Sequence, residues 1–406
     1  MRRHVVFALV VFLFGALIVS CTTPTGGSPV STEAPPVKTS GTPSTTTTTS
    51  PPVTTTQLSP AEQLLHEMDL SQKAAQVLLL AIDGTAVSPG TKGLLAEGPP
   101  AGVLLLQRNV TGAAQLTALT AALQQAAVAG GSGVGLFVAV DQEGGPVQRI
   151  HDGAPVVPAA RSLGDGSSPE EAGLLAAETA AGLLALGVNM NLAPVADVVD
   201  DKASFLYRRA YAGDPAKVAE YVSAVTEGSA RGGLIAVVKH FPGHGSAAAD
   251  THSGKAVSQA AAADFETIHL PPFQAAIEAG AEGVMVAHLV AAAYDPKRPA
   301  SQSGEIVEGL LRGELGFAGL VVTDDLEMAG TGTAGSGEAG IAALQAGCDL
   351  LISTGTEAKQ RELWEAIVNA VETGRLALSR LDQAVTRVLN LKLRHGLTTF
   401  QSQRPD

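Results

Sequence analysis

The stretch GLVVTD, residues 319–324, joins a continuous apolar run to an acidic end, and this pattern decides the fold. An apolar run without alternating polar residues is typical of a strand buried on both faces, as in a parallel sheet. Seven other runs have the same character, namely QVLLLAI (76–82), AGVLLLQ (101–107), GLFVAV (135–140), GVNMNLA (187–193), LIAVVKH (234–240), GVMVAH (283–288) and CDLLIS (348–353).

Stretches rich in Ala, Leu and Glu separate these runs and predict helices, for example over 113–127, 169–186 and 214–230. Ser168 and Pro169 form a helix start signal, an N-cap side chain followed by Pro in the first turn. Strand-then-helix units repeated eight times predict an α/β fold, a single (β/α)8 barrel of the TIM type over 58–398. An open doubly wound sheet is the alternative.

Polar residues at the ends of the strands favour the barrel. They are Asp83, Gln107, Arg108, Asp141, Asp197, Lys239, His240, His288 and Asp324. The active site of a TIM barrel is built from the C-terminal ends of several strands, whereas an open sheet concentrates its ligand contacts in one crevice.

The composition sets limits on the class of protein. The chain has 406 residues, 45% of them hydrophobic, which is enough for a large core. A net charge of -13 argues against a nucleic-acid partner, which would need a basic face. Cys21 and Cys348 are the only cysteines, so a disulfide scaffold is excluded, and Cys348 is predicted to be a buried structural thiol.

The N-terminus reads as a targeting segment. Arg2 and Arg3 precede an apolar run over 5–19, which predicts a secretory signal peptide over residues 1–20. The sequence that ends in Cys21 resembles a bacterial lipobox, which implies a lipoprotein anchored to the outer face of the cell membrane. A plain signal peptide or a single membrane anchor is the alternative.

The next segment, residues 21–57, is rich in Thr, Pro and Ser and has almost no large apolar side chains. Such a segment buries too little surface to offset its ordering entropy, so we expect a disordered linker that holds the folded domain away from the membrane. Residues 399–406 are expected to be a C-terminal tail.

Two motifs carry polar groups directly after predicted strands. Asp141 begins DQEGGPVQR (141–149), where the paired glycines allow a sharp turn, and Asp141 and Arg149 are suited to sugar hydroxyls. A capped turn with a surface ion pair is the alternative. Asp324 and Asp325 end another predicted strand, where one carboxylate is a candidate nucleophile or stabiliser and its neighbour a candidate cap of the following helix. Residue types alone do not choose between the two acids.

A third motif, KHFPGHG (239–245), is followed by Asp250 and His252. Lys239 and His240 end an apolar strand and need partners if they are buried. Asp250 is suited to orient the imidazole of His252 for proton transfer. A metal site is the alternative reading of these His and Asp residues, although their spacing matches no compact zinc motif.

The fourth motif is Arg208-Arg209 with Tyr211 and Asp214-Pro215, which precede a predicted helix. The simplest interpretation of the two arginines is a solvated basic pair.

Together these motifs resemble glycoside hydrolase family 3, in particular its bacterial β-N-acetylglucosaminidase branch, over 59–398. KHFPGHG followed by Asp-x-His is the most specific part of the match. Three positions depart from the family pattern: Thr323 replaces Ser, Pro146 replaces Arg, and Ala210 follows Arg209 where the family has Ser.

The resemblance implies retaining hydrolysis through a covalent glycosyl-enzyme on Asp324, with His252 as acid/base supported by Asp250. It implies sugar binding by five residues, which are Asp141, Arg149, Arg209, Lys239 and His240. It also implies that no metal or organic cofactor is needed. We expect a monomer that acts on GlcNAc-containing peptidoglycan fragments. The alternatives are a β-N-acetylglucosaminide phosphorylase and a non-catalytic lipoprotein that binds cell-wall glycans.

Overall fold

The computed structural model describes residues 58–130, 133–247, 250–251, 254–332 and 335–398. The predicted signal peptide, the linker with Cys21, the acid/base candidate His252 and the C-terminal tail lie outside these ranges. The domain boundaries at residues 20 and 57 therefore stay predictions. Within the described ranges no helix is both long and apolar enough to cross a membrane.

Eight parallel strands form a closed barrel, and each strand pairs with its neighbours in chain order. They are β1 (Leu78–Ala81), β2 (Gly102–Leu105), β3 (Phe137–Val140), β4 (Met190–Asn191), β5 (Ile235–Phe241), β6 (Gly283–Val286), β7 (Leu320–Asp325) and β8 (Leu350–Ser353). Leu79 of β1 lies opposite Ile352 of β8, and this pairing closes the barrel. The barrel prediction is confirmed, and the open doubly wound sheet is wrong.

Eleven α-helices of six or more residues surround the strands in the described ranges, besides a three-residue helix, Ala262–Asp264. They are α1 (Pro60–Glu67), α2 (Leu70–Ala75), α3 (Pro89–Glu97), α4 (Ala113–Ala129), α5 (Ala160–Gly166), α6 (Pro169–Ala185), α7 (Pro215–Arg231), α8 (Pro271–Glu278), α9 (Ser336–Ala346), α10 (Glu357–Glu372) and α11 (Leu378–Arg394). A π-helix, Glu305–Glu314, takes the place of an α-helix between β6 and β7.

The predicted start of α6 is observed as a reciprocal capping box. The Ser168 hydroxyl accepts from the backbone N–H of Glu171 at 3.2 Å, and the Glu171 carboxylate accepts from the Ser168 N–H at 2.7 Å. The three helices predicted from the sequence are present, with ends that differ by one or two residues.

A continuous buried cluster fills the barrel and takes at least one side chain from each strand: Leu79, Leu104, Phe137, Met190, Ile235, Met285, Leu320 and Leu350. A barrel packed in this way is a solid scaffold, so ligand contacts fall to the residues at its rim. Cys348, just before β8, is fully buried as predicted, and burial raises the pKa of its thiol to about 12.

A lysine of α11 is part of this buried interior. Lys392 is fully buried, donates from Nζ to Oε1 of Gln76 at 2.8 Å, and lies 5.2 Å from the centre of the Phe137 ring. Burial disfavours the charged form, so the pKa of Lys392 lies well below its ordinary value of 10.5.

This lysine predicts a pH dependence of stability. Between the folded-state pKa and 10.5 the unfolded chain binds a proton that the folded chain does not, so stability rises with pH. The contribution reaches about 1.4 kcal/mol per pH unit inside that window. We expect Lys392→Met to abolish this contribution. In urea unfolding at pH 7 and pH 9, the free energy of unfolding should rise with pH by more in the wild type than in the variant. Lys92→Met, at an exposed position, is the control, and identical pH slopes for wild type and Lys392→Met would contradict the prediction.

Candidate active site

The centre of the site is an ammonium group held between two carboxylates at the C-terminal end of the barrel. Lys239 on β5 is only 2% exposed. Its Nζ lies 2.7 Å from Oδ1 of Asp141 and 2.6 Å from Oε1 of Glu143, both of which follow β3. These contacts offset the cost of burying the charge, and they join two motifs that lie far apart in the sequence.

Glu143 is a site residue that the sequence reasoning did not select. Its carboxylate accepts two hydrogen bonds from Arg209, from Nε at 2.7 Å and from Nη2 at 2.8 Å. Burial alone would raise the pKa of Glu143, but the charges of Lys239 and Arg209 lower it to about 2. The sequence feature that could have pointed to Glu143 is its position in the motif, two residues after Asp141. Nothing in the sequence paired Glu143 with Arg209.

A short hairpin positions Asp141 and Glu143. Its strands are Gln142–Gly144 and Val147–Gln148, and they are joined through Gly145 and Pro146. Gly144 has φ +98°, and a Cβ there would lie 2.4 Å from the carbonyl oxygen of Pro158. Only glycine satisfies both conditions, which agrees with the sharp turn predicted for the glycine pair.

The carboxylate of Asp197 orients the next residue on β5. Asp197 is fully buried; its Oδ2 lies 2.7 Å from Nδ1 of His240, and its Oδ1 accepts from the backbone N–H of His244 at 2.6 Å. On the other side of the ring, Nη2 of Arg209 lies 3.3 Å from Nε2 of His240. Because a guanidinium only donates, Nε2 accepts, and the ring proton of Nδ1 points to Asp197.

The two arginines of the fourth motif differ in their surroundings. Arg208 is exposed, whereas Arg209 is largely buried against Glu143, so the interpretation as a solvated basic pair is wrong for Arg209. Asp214 accepts from the backbone N–H of Lys217 at 2.8 Å and caps α7, so it belongs to the scaffold. Tyr211 is also buried in the scaffold.

The outer contacts of the site are longer. Nη2 of Arg149 lies 3.8 Å from Oδ2 of Asp141, so the ion pair considered as an alternative exists, but it lies at the edge of the buried network. Asp83 and Arg108 form an exposed ion pair with each other at 3.1 Å. Within the described residues, these two strand-end side chains contact each other and not the network around Lys239.

Asp324 lies at the end of β7, where the register against β8 shifts between Val322 and Asp325. At this irregularity the hydroxyl of Thr323 accepts from the backbone N–H of Ile352 at 3.1 Å and replaces a backbone acceptor. A serine carries the same hydroxyl, so the departure at Thr323 preserves this contact.

Asp325 has a different role from the one predicted. Its Oδ1 accepts from the backbone N–H of Thr354 at 2.9 Å and of Glu327 at 3.2 Å, and the next α-helix begins only at Ser336. Its interpretation as a helix cap is therefore wrong, because the side chain ties the end of β7 to the end of β8.

The electrostatic surroundings separate the two acids. Burial would raise the pKa of Asp324, but the neighbouring imidazoles of His240 and His288 hold it below its ordinary value. For Asp325, burial dominates and raises the pKa. Asp324 is therefore the carboxylate that stays ionised most readily, a distinction that the sequence left open. His288 is fully buried and contacts the carbonyl oxygen of Asp325 through Nε2 at 3.0 Å.

Of the predicted acid/base pair, Asp250 is described and half-buried, whereas His252 lies outside the described residues. Among the side chains that the structure describes, no group of three or more His, Cys, Asp or Glu residues is arranged to hold a metal ion. Two of the histidines considered for a metal site have contacts within the protein. His240 contacts Asp197 through Nδ1, and His244 contacts Thr251 through Nε2.

Comparison with known proteins identifies the family. The Glycosyl hydrolase family 3 N terminal domain matches residues 69–391. The chain is 36% identical over 326 residues to a Beta-hexosaminidase of Nitrosomonas eutropha, with 77% of this chain and 91% of that protein covered. The chain belongs to glycoside hydrolase family 3. The prediction of a glycoside hydrolase is thus confirmed.

Two solved structures have the same fold. A β-N-acetylglucosaminidase from Paenibacillus sp. matches with a TM-score of 0.79 and 36% identity, over 84% of this chain and 65% of that chain. A β-N-acetylhexosaminidase from Beutenbergia cavernae matches with a TM-score of 0.73 and 33% identity, over 80% of this chain and 99% of that chain. The present chain therefore spans just under two thirds of the Paenibacillus enzyme and nearly all of the Beutenbergia enzyme.

Proposed function

We propose that this member of glycoside hydrolase family 3 is a retaining exo-β-N-acetylglucosaminidase with Asp324 as the nucleophile. The observation that carries the proposal is the half-buried Asp324 carboxylate at the end of β7, whose pKa is held low by His240 and His288. A carboxylate on a rigid strand end is suited to attack an anomeric carbon. The names of the relatives, Beta-hexosaminidase and β-N-acetylglucosaminidase, support the sugar specificity.

The reaction has two steps. An oxygen of Asp324 forms a bond to the anomeric carbon while the bond to the leaving oxygen breaks, and His252 gives that oxygen a proton. Water then attacks the anomeric carbon, the bond to Asp324 breaks, and His252 takes the proton of the water. Asp250 orients the imidazole of His252 in both steps.

The charged network provides the groups that hold the sugar. Lys239 has three N–H donors, and two of them face Asp141 and Glu143, which leaves one for a sugar hydroxyl within the described part of the chain. Asp141 accepts from hydroxyls, while Arg149 and Arg209 donate to them from the rim. This mixture of fixed donors and acceptors suits a polyol better than an apolar ligand.

The proposed substrates are GlcNAc-containing peptidoglycan fragments, and the proposed location is the outer face of the cell membrane. The lipobox-like sequence that ends in Cys21 supports the anchor, because a lipid on that residue would hold the barrel at the surface through the linker over 21–57. The absence of a basic surplus, at a net charge of -13, means that attachment relies on the lipid and not on anionic headgroups.

The first test is turnover by the full-length protein in detergent with 4-methylumbelliferyl β-N-acetylglucosaminide. We expect fluorophore release and free GlcNAc with retained β configuration in a phosphate-free buffer, measured by fluorescence and proton NMR. Sugar-1-phosphate that forms only when phosphate is added would identify a phosphorylase instead. A folded protein that binds GlcNAc but gives no turnover under either condition would leave a glycan-binding role.

A further inference from the structure

The two residues of the proposed acid/base pair flank a buried residue in the sequence. Thr251 lies between Asp250 and His252 in the sequence and is only 1% exposed. Its carbonyl oxygen accepts from the backbone N–H of Gly330 at 3.0 Å. Because Gly330 is six residues after Asp324, this hydrogen bond joins the segment after β5 to the segment that follows the proposed nucleophile.

The contact at Gly330 requires a residue without a side chain. A Cβ at this position would lie 2.9 Å from Cβ and 3.0 Å from Cγ2 of Thr251, and 3.2 Å from Cβ of His288. Real Cβ atoms essentially never approach another atom so closely, and the packed interior on the His288 side leaves Thr251 as the group that has to move. Since Gly330 has no positive φ, space and not backbone conformation imposes the glycine.

The side chain of Thr251 makes a second connection. Its Oγ1 lies 3.2 Å from Nε2 of His244, whose backbone N–H donates to Asp197 at 2.6 Å. The other oxygen of Asp197 contacts His240 at 2.7 Å. The backbone of Thr251 is thus tied to the nucleophile side of the site, and its side chain is tied to the sugar-binding side.

We propose that Thr251 is a positioning residue for the acid/base pair Asp250 and His252, and that Gly330 sets the distance of Thr251 from the nucleophile strand. The inference rests on the proposed function, since it concerns the proton donor of that reaction. A general acid acts only within hydrogen-bond reach of the leaving oxygen, so a small displacement of the chain at Thr251 weakens proton donation. The nucleophile and the sugar contacts do not depend on that step.

Leaving-group dependence distinguishes this role from general damage to the site. A 2,4-dinitrophenyl leaving group departs without a proton, whereas the sugar alkoxide released from N,N′-diacetylchitobiose needs one. We therefore expect Thr251→Val and Gly330→Ala to lower kcat/KM on the disaccharide by about tenfold or more, up to the 10²–10⁴-fold that general acid catalysis contributes as a whole. On the 2,4-dinitrophenyl glycoside, kcat/KM should change less than about threefold.

Two further variants control for other effects. Gly335→Ala is the matched control in the segment after β7, because a Cβ there has no neighbour within 4 Å among the described residues and its φ of 171° suits any residue. Thr251→Ser keeps the hydroxyl that contacts His244 and should retain more disaccharide activity than Thr251→Val. All variants are compared as full-length proteins, with thermal unfolding followed by circular dichroism.

The outcomes separate this inference from the proposed function. A wild type that turns over neither substrate would refute the proposed function itself. With an active wild type, equal losses on both substrates in folded Thr251→Val, or no loss on the disaccharide, would overturn the positioning role. If Gly330→Ala does not fold, Thr251→Val and Thr251→Ser still decide the question, since neither adds bulk.

Discussion

Asp324→Asn is expected to lower turnover of an aryl β-N-acetylglucosaminide by about 10⁶-fold, the scale seen when a hydrolase loses its nucleophile. Asparagine keeps the shape of the side chain and removes the charge. In the wild type, His240 and His288 hold the pKa of this half-buried carboxyl below its ordinary value, so the loss of charge removes the group that they stabilise. Initial rates measured with excess enzyme give the residual activity.

The matched control is Asp165→Asn, which removes an exposed carboxylate of α5 and should leave turnover unchanged. Asp324→Ala in azide adds a chemical readout, because azide that enters the vacated space would give the α-glycosyl azide, detectable by NMR. Residual turnover of Asp324→Asn within tenfold of the wild type would reject Asp324 as the nucleophile and direct attention to Asp325.

Glu143→Gln is expected to cost roughly 3 kcal/mol of unfolding free energy at pH 7, because the pKa of this carboxyl falls from 4.5 to about 2 in the folded chain. The variant leaves Lys239 and Arg209 without their shared counter-charge in a buried site, which is the costly way to break an ion pair. Urea unfolding of both proteins measures the difference.

The Glu143 carboxyl also predicts how the stability of the protein depends on pH. Since the folded-state pKa of Glu143 is depressed, its stabilising contribution is complete above the unfolded value of 4.5 and is lost as pH falls towards 2. The difference in unfolding free energy between the wild type and Glu143→Gln should therefore become smaller as the pH is lowered from 4.5 to 3. Glu372→Gln, at the exposed end of α10, is the control and should have the unfolding free energy of the wild type at every pH. A difference for Glu143→Gln that does not change with pH would contradict the lowered pKa of Glu143.

The strands were predictable because a buried parallel strand leaves a local trace. The runs at 76–82 and 348–353 are apolar over 77–82 and 350–352, and the structure places β1 and β8 inside them. The strand ends were predictable for the same reason, since Lys239 and Asp324 each interrupt such a run. Local composition is enough when the feature itself is local.

Pairing across the barrel was not predictable. Nothing near Glu143 in the sequence points to Arg209, because their contact depends on the hairpin after β3 meeting the segment after β4. The role of Asp325 likewise depends on where Thr354 lies at the end of the neighbouring strand. Close approach, as between Gly330 and Thr251, leaves no periodic signal at all.

The pairing of β1 with β8 has a consequence for how the chain folds. Leu79 and Ile352 lie near opposite ends of the folded domain's sequence, so one edge of β1 stays without a partner until nearly the whole domain has been synthesised. An unpaired strand edge is a template for aggregation, and a contact between such distant residues forms slowly. The nascent chain is therefore most exposed to misassembly before β1 pairs with β8. Substitutions at this strand pair should lower the yield of folded protein before they affect catalysis.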